Sequence, residues 1–300
     1  MHFGGKGLDN KILRIFIRRT SQTPDDNYVK IGMPDLFMPQ DVDEVHISTI
    51  FSWDIENALN LKRNYELYYP KVLVGGPAFA NGTYVHKFVS GMYVKKGITI
   101  TTRGCNFKCP FCLVGKKEGK FQEINIEEGN IIQDNNILLA SKDHLRKVFD
   151  MLKKQKGIRF VGGLDKRLIK DWHIEELRSL SIKELWFSFD SWDNKKEFIK
   201  VMDKLKKSGF RRNQIRCYVL AGFNEPIQNS EDRLRFTYKC GALPYVQLYQ
   251  SISVKKKYAG ETSRKDNLFI RQWSRPAIIK SIMKEVGAGF ELCSGLLQKK

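Results

Sequence analysis

A chain of 300 residues with 42% hydrophobic and 28% charged positions can bury one large core, or one core with a smaller one beside it. It is neither disordered nor fibrous in composition, and no run of about 18 apolar residues is present to cross a membrane. The net charge of +19 suits nucleic acid or another polyanion as partner, and equally a lysine-rich soluble surface, because the basic residues are spread along the chain.

The first residues lack the apolar stretch of a secretory signal, so the cytoplasm is the expected compartment. Within residues 1–96, Val45–Ile50 reads as a strand and Asn57–Tyr69 as a helix ended by Pro70. Lys71–Gly75 reads as a second strand running into Gly75-Gly76-Pro77. A strand, a helix and a strand with short links predict a parallel βαβ unit, hence a small α/β N-terminal domain of reduced Rossmann type.

From residue 97 the alternation becomes regular. Ile98–Thr102, Ile158–Val161, Glu184–Phe189, Gln214–Ala221 and Pro244–Tyr249 read as strands. Lys142–Lys154 (with Ser141 as N-cap), Asp171–Leu180, Lys195–Lys207, Glu231–Lys239 and Pro276–Glu285 read as helices. Residues 115–136 form a polar insertion with no assigned structure. Five clear strands and a short sixth predict an α/β fold, a partial (β/α)6-type barrel over residues 97–300 with a C-terminal helical extension. Chemistry in such architectures gathers at the C-terminal ends of the strands.

Three of the six cysteines crowd into Cys105-Asn-Phe-Lys-Cys109-Pro-Phe-Cys112, directly after the first of these strands. Cys217, Cys240 and Cys293 are scattered and read as buried small hydrophobes. Three thiolates can ligate three irons of a [4Fe–4S] cube that takes four ligands, which leaves one iron open. An open position is the mark of a catalytic site rather than a structural one. Zinc is the competing metal, with His86 or His144 as a fourth ligand.

Cys105-x3-Cys109-x-Phe-Cys112, after a strand and ahead of βα units, resembles the radical S-adenosylmethionine superfamily over roughly residues 97–250. The approach Thr102-Arg-Gly-Cys105 looks most like its methylthiotransferase and cobalamin-linked branches. The resemblance implies a [4Fe–4S] cluster on Cys105, Cys109 and Cys112, with S-adenosylmethionine chelated to the open iron. Reductive cleavage would give a 5′-deoxyadenosyl radical that abstracts hydrogen from a substrate. It also implies a reductant protein such as a flavodoxin or ferredoxin, and places Phe111 near the adenine.

Four strand ends carry candidate cofactor residues, two of them in partial matches to superfamily motifs. Gly162-Gly163 resembles the Gly-Gly-acid turn beside the methionine amino group, with Leu164 at the acidic place and Asp165 one residue later. Ser188 and Asp190 could reach the ribose or carboxylate, and an Asp there could equally cap the next turn. Gly222 and Glu225 match a Gly-x-x-Glu motif in which the glycine passes adenine and the glutamate supports the loop. Gln247 and Tyr249 are further candidates for the pocket, and Arg216 for a carboxylate or phosphate, or for a plain surface position.

Val74-Gly-Gly-Pro77 resembles a late strand of the cobalamin-binding and methylthiotransferase N-terminal domains. The Asp-x-His-x-x-Gly cobalamin pattern is absent, and no cysteine precedes Cys105. Ordinary methylthiotransfer is therefore not expected. The leading expectation is a radical enzyme acting on nucleic acid or a nucleoside. The alternatives are a radical enzyme acting on a peptide or small metabolite, and a metal-stabilised nucleic-acid-binding module without catalysis.

Overall fold

A computed structural model describes residues 11–79, 92–249 and 264–285. His86 and Cys293, both named above, lie outside the described residues. Two compact units meet at the Lys96–Gly97 boundary.

The first unit is a four-stranded parallel sheet with one helix. Its strands are β1 (Ile12–Phe16), β2 (Val29–Ile31), β3 (Glu44–Ser48) and β4 (Val72–Gly75), ordered β2-β1-β3-β4, and α1 spans Ile55–Tyr65. Leu13, Ile15, Val45 and Ile47 are completely buried and pack with Ala58, Leu61 and Tyr65 of the helix. The sequence reading found β3, α1 and β4 but not β1 or β2. Arg14 interrupts the first, and the second has three residues, too few for a period to show. The helix stops at Tyr65 rather than Tyr69, and the chain turns so that the Tyr65 and Tyr69 hydroxyls donate to Gly32 O and Pro39 O at 3.0 and 2.6 Å.

The second unit is α/β around a six-stranded parallel sheet. Its strands, in spatial and chain order alike, are β5 (Ile98–Thr99), β8 (Ile131–Ile132), β9 (Ile158–Phe160), β10 (Ile182–Ser188), β11 (Ile215–Ala221) and β12 (Leu243–Leu248). Two further pieces, β6 (Thr102–Arg103) and β7 (Gln122–Glu123), pair antiparallel. The helices are α2 (Val114–Lys117), α3 (Lys142–Lys153), α4 (Asp171–Ser179), α5 (Lys195–Lys207), α6 (Glu231–Lys239), α7 (Arg264–Ser274) and α8 (Pro276–Glu285). Among the described residues no helix is long and apolar enough to cross a membrane.

Three expectations need correction. The strand expected over Ile98–Thr102 ends at Thr99, because the Thr101 and Thr102 side chains turn to a buried aspartate. The polar insertion at 115–136 contains β7 and β8, and β8 is the short sixth strand. The C-terminal helical extension is a pair, α7 and α8, where the sequence reading had only the second.

Helix formation follows the local sequence. The Ser141 hydroxyl accepts from His144 N at 3.2 Å and caps α3. Leu145, Val148, Phe149 and Leu152 then bury one stripe of that helix at i, i+3, i+4 and i+7. On α5, Phe198, Val201, Met202 and Leu205 do the same, and Gly209 closes the end with φ +86°. These stripes meet alternate strand residues: Leu185 and Phe187 on β10, Ile215 and Cys217 on β11.

Candidate active site

The cysteine loop is a hairpin whose base is tied from the next strand. Asp134, just beyond β8 and 2% exposed, accepts from Thr101 N and Thr101 Oγ1 at 2.6 Å each and from Thr102 Oγ1 at 3.0 Å. Burial pushes its carboxyl above the ordinary value, and those three donors oppose the rise. Asn135 Oδ1 accepts from Gly104 N at 3.0 Å. Arg103 and Glu118 form an ion pair at 2.5 Å across the hairpin. The ribbon of β6 and β7 closes the base, and Cys105 N donates to Gly119 O at 3.3 Å.

Gly104 is required there. Its φ is +72°, and a Cβ would stand 2.2 Å from Lys120 O. The chain can therefore turn into Cys105 only with no side chain on the preceding residue.

Cys105, Cys109 and Cys112 are free and partly exposed, whereas Cys217 and Cys240 are buried in the core. Cys112 N donates to Cys109 O at 3.0 Å, so the chain between these two thiols makes one tight turn. Burial raises the Cys112 thiol above its ordinary value. Among the described residues, no group of three or more His, Cys, Asp or Glu side chains is arranged to hold a metal ion. Thiolates that serve a cube bind different irons and need not converge on one point. Three uncommitted thiols on one glycine-closed hairpin fit that group. His144, the candidate zinc ligand, is 8% exposed and its Nδ1 faces Glu123 Oε2 at 3.6 Å.

Beside the loop lies a basic group the sequence reading missed. The Arg167 guanidinium stands 3.8 Å from the Phe107 ring centre. Its Nε and Nη2 donate to Asp165 at 2.9 and 2.6 Å, and it also interacts with the Cys109 thiol. Burial alone would raise the Asp165 carboxyl, but the Arg167 hydrogen bonds and charge outweigh it and hold it low. Asn136 Nδ2 adds a bond to Asp165 at 3.2 Å. Asp165 is thus an anion committed to positioning Arg167.

The two glycines ahead of it differ. A Cβ on Gly162 would stand 1.8 Å from Asp134 O, so its missing side chain lets the strand-end backbones touch. Gly163 has φ +106° and open space where a Cβ would be, which leaves its backbone approachable.

At the ends of β10 and β11 the polar groups are tied to backbone. Asp190 Oδ1 accepts from Leu220 N at 2.9 Å, and burial pushes its carboxyl up. The Lys166 side chain, 9% exposed, donates to Ser188 O at 3.1 Å. Glu225 pairs with Arg233, whose Nη2 also donates to Leu220 O at 2.8 Å, so the turn after Gly222 is clamped to its own strand. Gln247 is exposed, in register with Leu220.

Phe111 connects the cysteine loop to this end. Its ring meets Phe223 edge-on at 5.6 Å, and Phe223 meets Tyr249 at 4.8 Å. The loop after the first strand therefore touches the turn after the fifth. Phe111 and Tyr249 are brought together with the turn that carries Gly222. Asp165 and Glu225 have their carboxylates engaged by arginines, and Gln247 faces solvent.

Sequence reasoning missed Asp134-Asn135-Asn136, Lys166 and Arg167. The first set stands two residues beyond Ile131–Ile132, where three side-chain acceptors in a row mark a strand end. The second follows Gly-Gly-Leu-Asp directly, and two adjacent cations after a glycine turn at a strand end are a chemical signal.

No protein-family model matches the chain, and no curated protein matches it.

Proposed function

We propose that the protein is a radical S-adenosylmethionine enzyme that holds a [4Fe–4S] cluster on Cys105, Cys109 and Cys112, within a partial (β/α)6 barrel. The observation that carries this reading is the three-thiol hairpin at the C-terminal end of the first strand of a parallel sheet whose six strands follow chain order. A sheet that winds in one direction, with its first loop against its fifth through Phe111 and Phe223, supports the barrel.

When bound, the cluster would supply one electron to S-adenosylmethionine, so that a 5′-deoxyadenosyl radical abstracts hydrogen from the substrate. The chain's own residues have distinct parts. Asp134 and Asn135 hold the hairpin base, and Gly104 sets the entry into Cys105. Arg167, fixed by Asp165, sets a positive charge beside Cys109. The open backbone at Gly163 gives the methionine end of the cofactor room to approach. Ser188 and Asp190 stand where the ribose would lie, Gly222 and Phe111 where adenine would. The electron would come from a flavodoxin or ferredoxin, with nucleic acid or a nucleoside as substrate, in the cytoplasm.

Anaerobic reconstitution with iron and sulfide, followed by S-adenosylmethionine and a strong reductant, tests the reading. The expected product is 5′-deoxyadenosine, abolished in Cys105→Ala, Cys109→Ala and Cys112→Ala. A fully loaded preparation that yields none would overturn it.

A further inference from the structure

The helix-distant face of the six-stranded sheet carries a group of side chains that neither the cluster loop nor the strand ends use. Trp186 and Tyr218 stack at 4.4 Å with an interplanar angle of 29°, and Tyr245 meets both edge-on at 5.8 and 5.9 Å. Tyr245 is 37% exposed, so this aromatic group has an accessible member. Among the described residues, Trp186 and Tyr218 are only partly buried, so the group is not sealed from solvent.

Charge lies beside the rings. Glu184 accepts from Arg159 Nε and Nη2 at 3.1 and 2.8 Å and from Trp186 Nε1 at 3.1 Å. Burial would raise this carboxyl, but those hydrogen bonds and the Arg159 and Arg216 charges hold it low, so it is an anion matched to Arg159. Arg216 has only a loose contact with it, at 3.5 Å, and its buried Nε has no hydrogen-bond partner among the described residues. The face thus holds an aromatic platform and one arginine with donors to spare.

Register gives the height of this group. Trp186 pairs with Arg216, Ser188 with Tyr218 and Tyr218 with Tyr245. Leu220 and Gln247 come two residues further on, so the platform sits about 7 Å below the strand ends. That is below the cofactor end, on the same face.

We propose that Trp186, Tyr218, Tyr245 and Arg216 form the substrate subsite, and that it takes a nucleotide unit, with the base on the aromatic group and the phosphate on Arg216. This rests on the radical-enzyme reading for its role but not for its chemistry. Every base presents a π-face, which suits stacking on Tyr and Trp. An arginine fork with free donors suits a phosphate. A chain of net charge +19 draws such an anion in.

The test uses the full chain without cluster, titrated into a labelled single-stranded RNA heptamer at a series of salt concentrations, with anisotropy as readout. Tyr245→Ala and Tyr245→Leu should each weaken binding about tenfold or more, while Tyr245→Phe stays within about twofold. Arg216→Ala should lower the slope of log affinity against log salt by about 0.7. UMP should compete better than uridine or inorganic phosphate, because only it engages both rings and arginine. UMP matching the heptamer's affinity would identify a free nucleotide as the source, and a much tighter heptamer a strand. Unchanged affinity in Tyr245→Leu and Arg216→Ala, with normal thermal melts, would overturn the subsite. Because no cluster is needed, nucleotide binding that survives a failed 5′-deoxyadenosine assay would leave the subsite standing and sink only the radical reading.

Discussion

The two faces of the six-stranded sheet are made by alternate residues of the same strands, yet they obey different rules. On β11, Ile215, Cys217, Val219 and Ala221 point to the helices and are buried, whereas Arg216, Tyr218 and Leu220 are only partly covered. On β10, Leu185 and Phe187 are completely buried while Glu184, Trp186 and Ser188 are not. The helix side is apolar and filled, and its residue types are set by packing. The other side carries arginines, a glutamate and three aromatic rings, which packing alone would not select. Stability therefore belongs to one face, and the other, below the strand ends that carry the thiol hairpin, holds the proposed subsite.

Substitutions can break this division in order of expected effect. The largest is at Phe198, completely buried against Phe189 at 4.7 Å ring to ring. Phe198→Ala should cost about 3–5 kcal/mol in urea denaturation. Tyr218→Phe, on the open face, removes a hydroxyl whose bond to Val161 O is 3.5 Å long, and should cost less than about 1 kcal/mol. Equal losses at the two positions would erase the comparison.

Next comes the hairpin. Gly104→Ala forces the Lys120 carbonyl aside and should lower iron loading severalfold, read as iron per chain. The melting of the sheet should be largely kept. A mutant that loads normally would mean that the loop entry is not under the constraint argued above. Arg167→Gln should leave the melting of the sheet intact and lower iron loading, because it removes the guanidinium that stacks on Phe107 and contacts the Cys109 thiol. Unchanged loading would remove its role beside Cys109.

The smallest effect is in pH. His173, buried on α4 with Nδ1 accepting from Lys170 N at 2.9 Å, has its pKa lowered by burial from 6.5 to about 4. The unfolded chain then binds the extra proton between those values. Its contribution is present above pH 6.5 and is lost as pH falls toward about 4. His173→Gln should flatten stability across that window, measured by denaturation at several pH values.

Much of this was legible in the sequence because the helical stripes and long strands have clear periods. The helix over Lys142–Lys153, its Ser141 cap and the strand at Ile215–Ala221 follow from spacing alone. The short strands do not: Val29–Ile31 and Ile131–Ile132 exist because neighbours offer them a ladder, and two or three residues carry no pattern of their own. At the site, the three thiols could be picked out by their spacing. The partners of Asp134 could not, since Thr101 and Asp134 meet only when the sheet brings them together across 33 positions. Asp165 and Glu225 each pair with an arginine close by in the chain, Arg167 and Arg233, a local pairing that the reading of the glycine turns passed over.

The central claim is an iron–sulfur cluster with one iron open to S-adenosylmethionine, and electron paramagnetic resonance tests it most directly. The anaerobically reconstituted, dithionite-reduced protein should give a [4Fe–4S]+ signal that changes when S-adenosylmethionine is added, and Cys109→Ala should lose it. A chain that takes up zinc but no cluster, or a cluster signal indifferent to S-adenosylmethionine, would contradict the account.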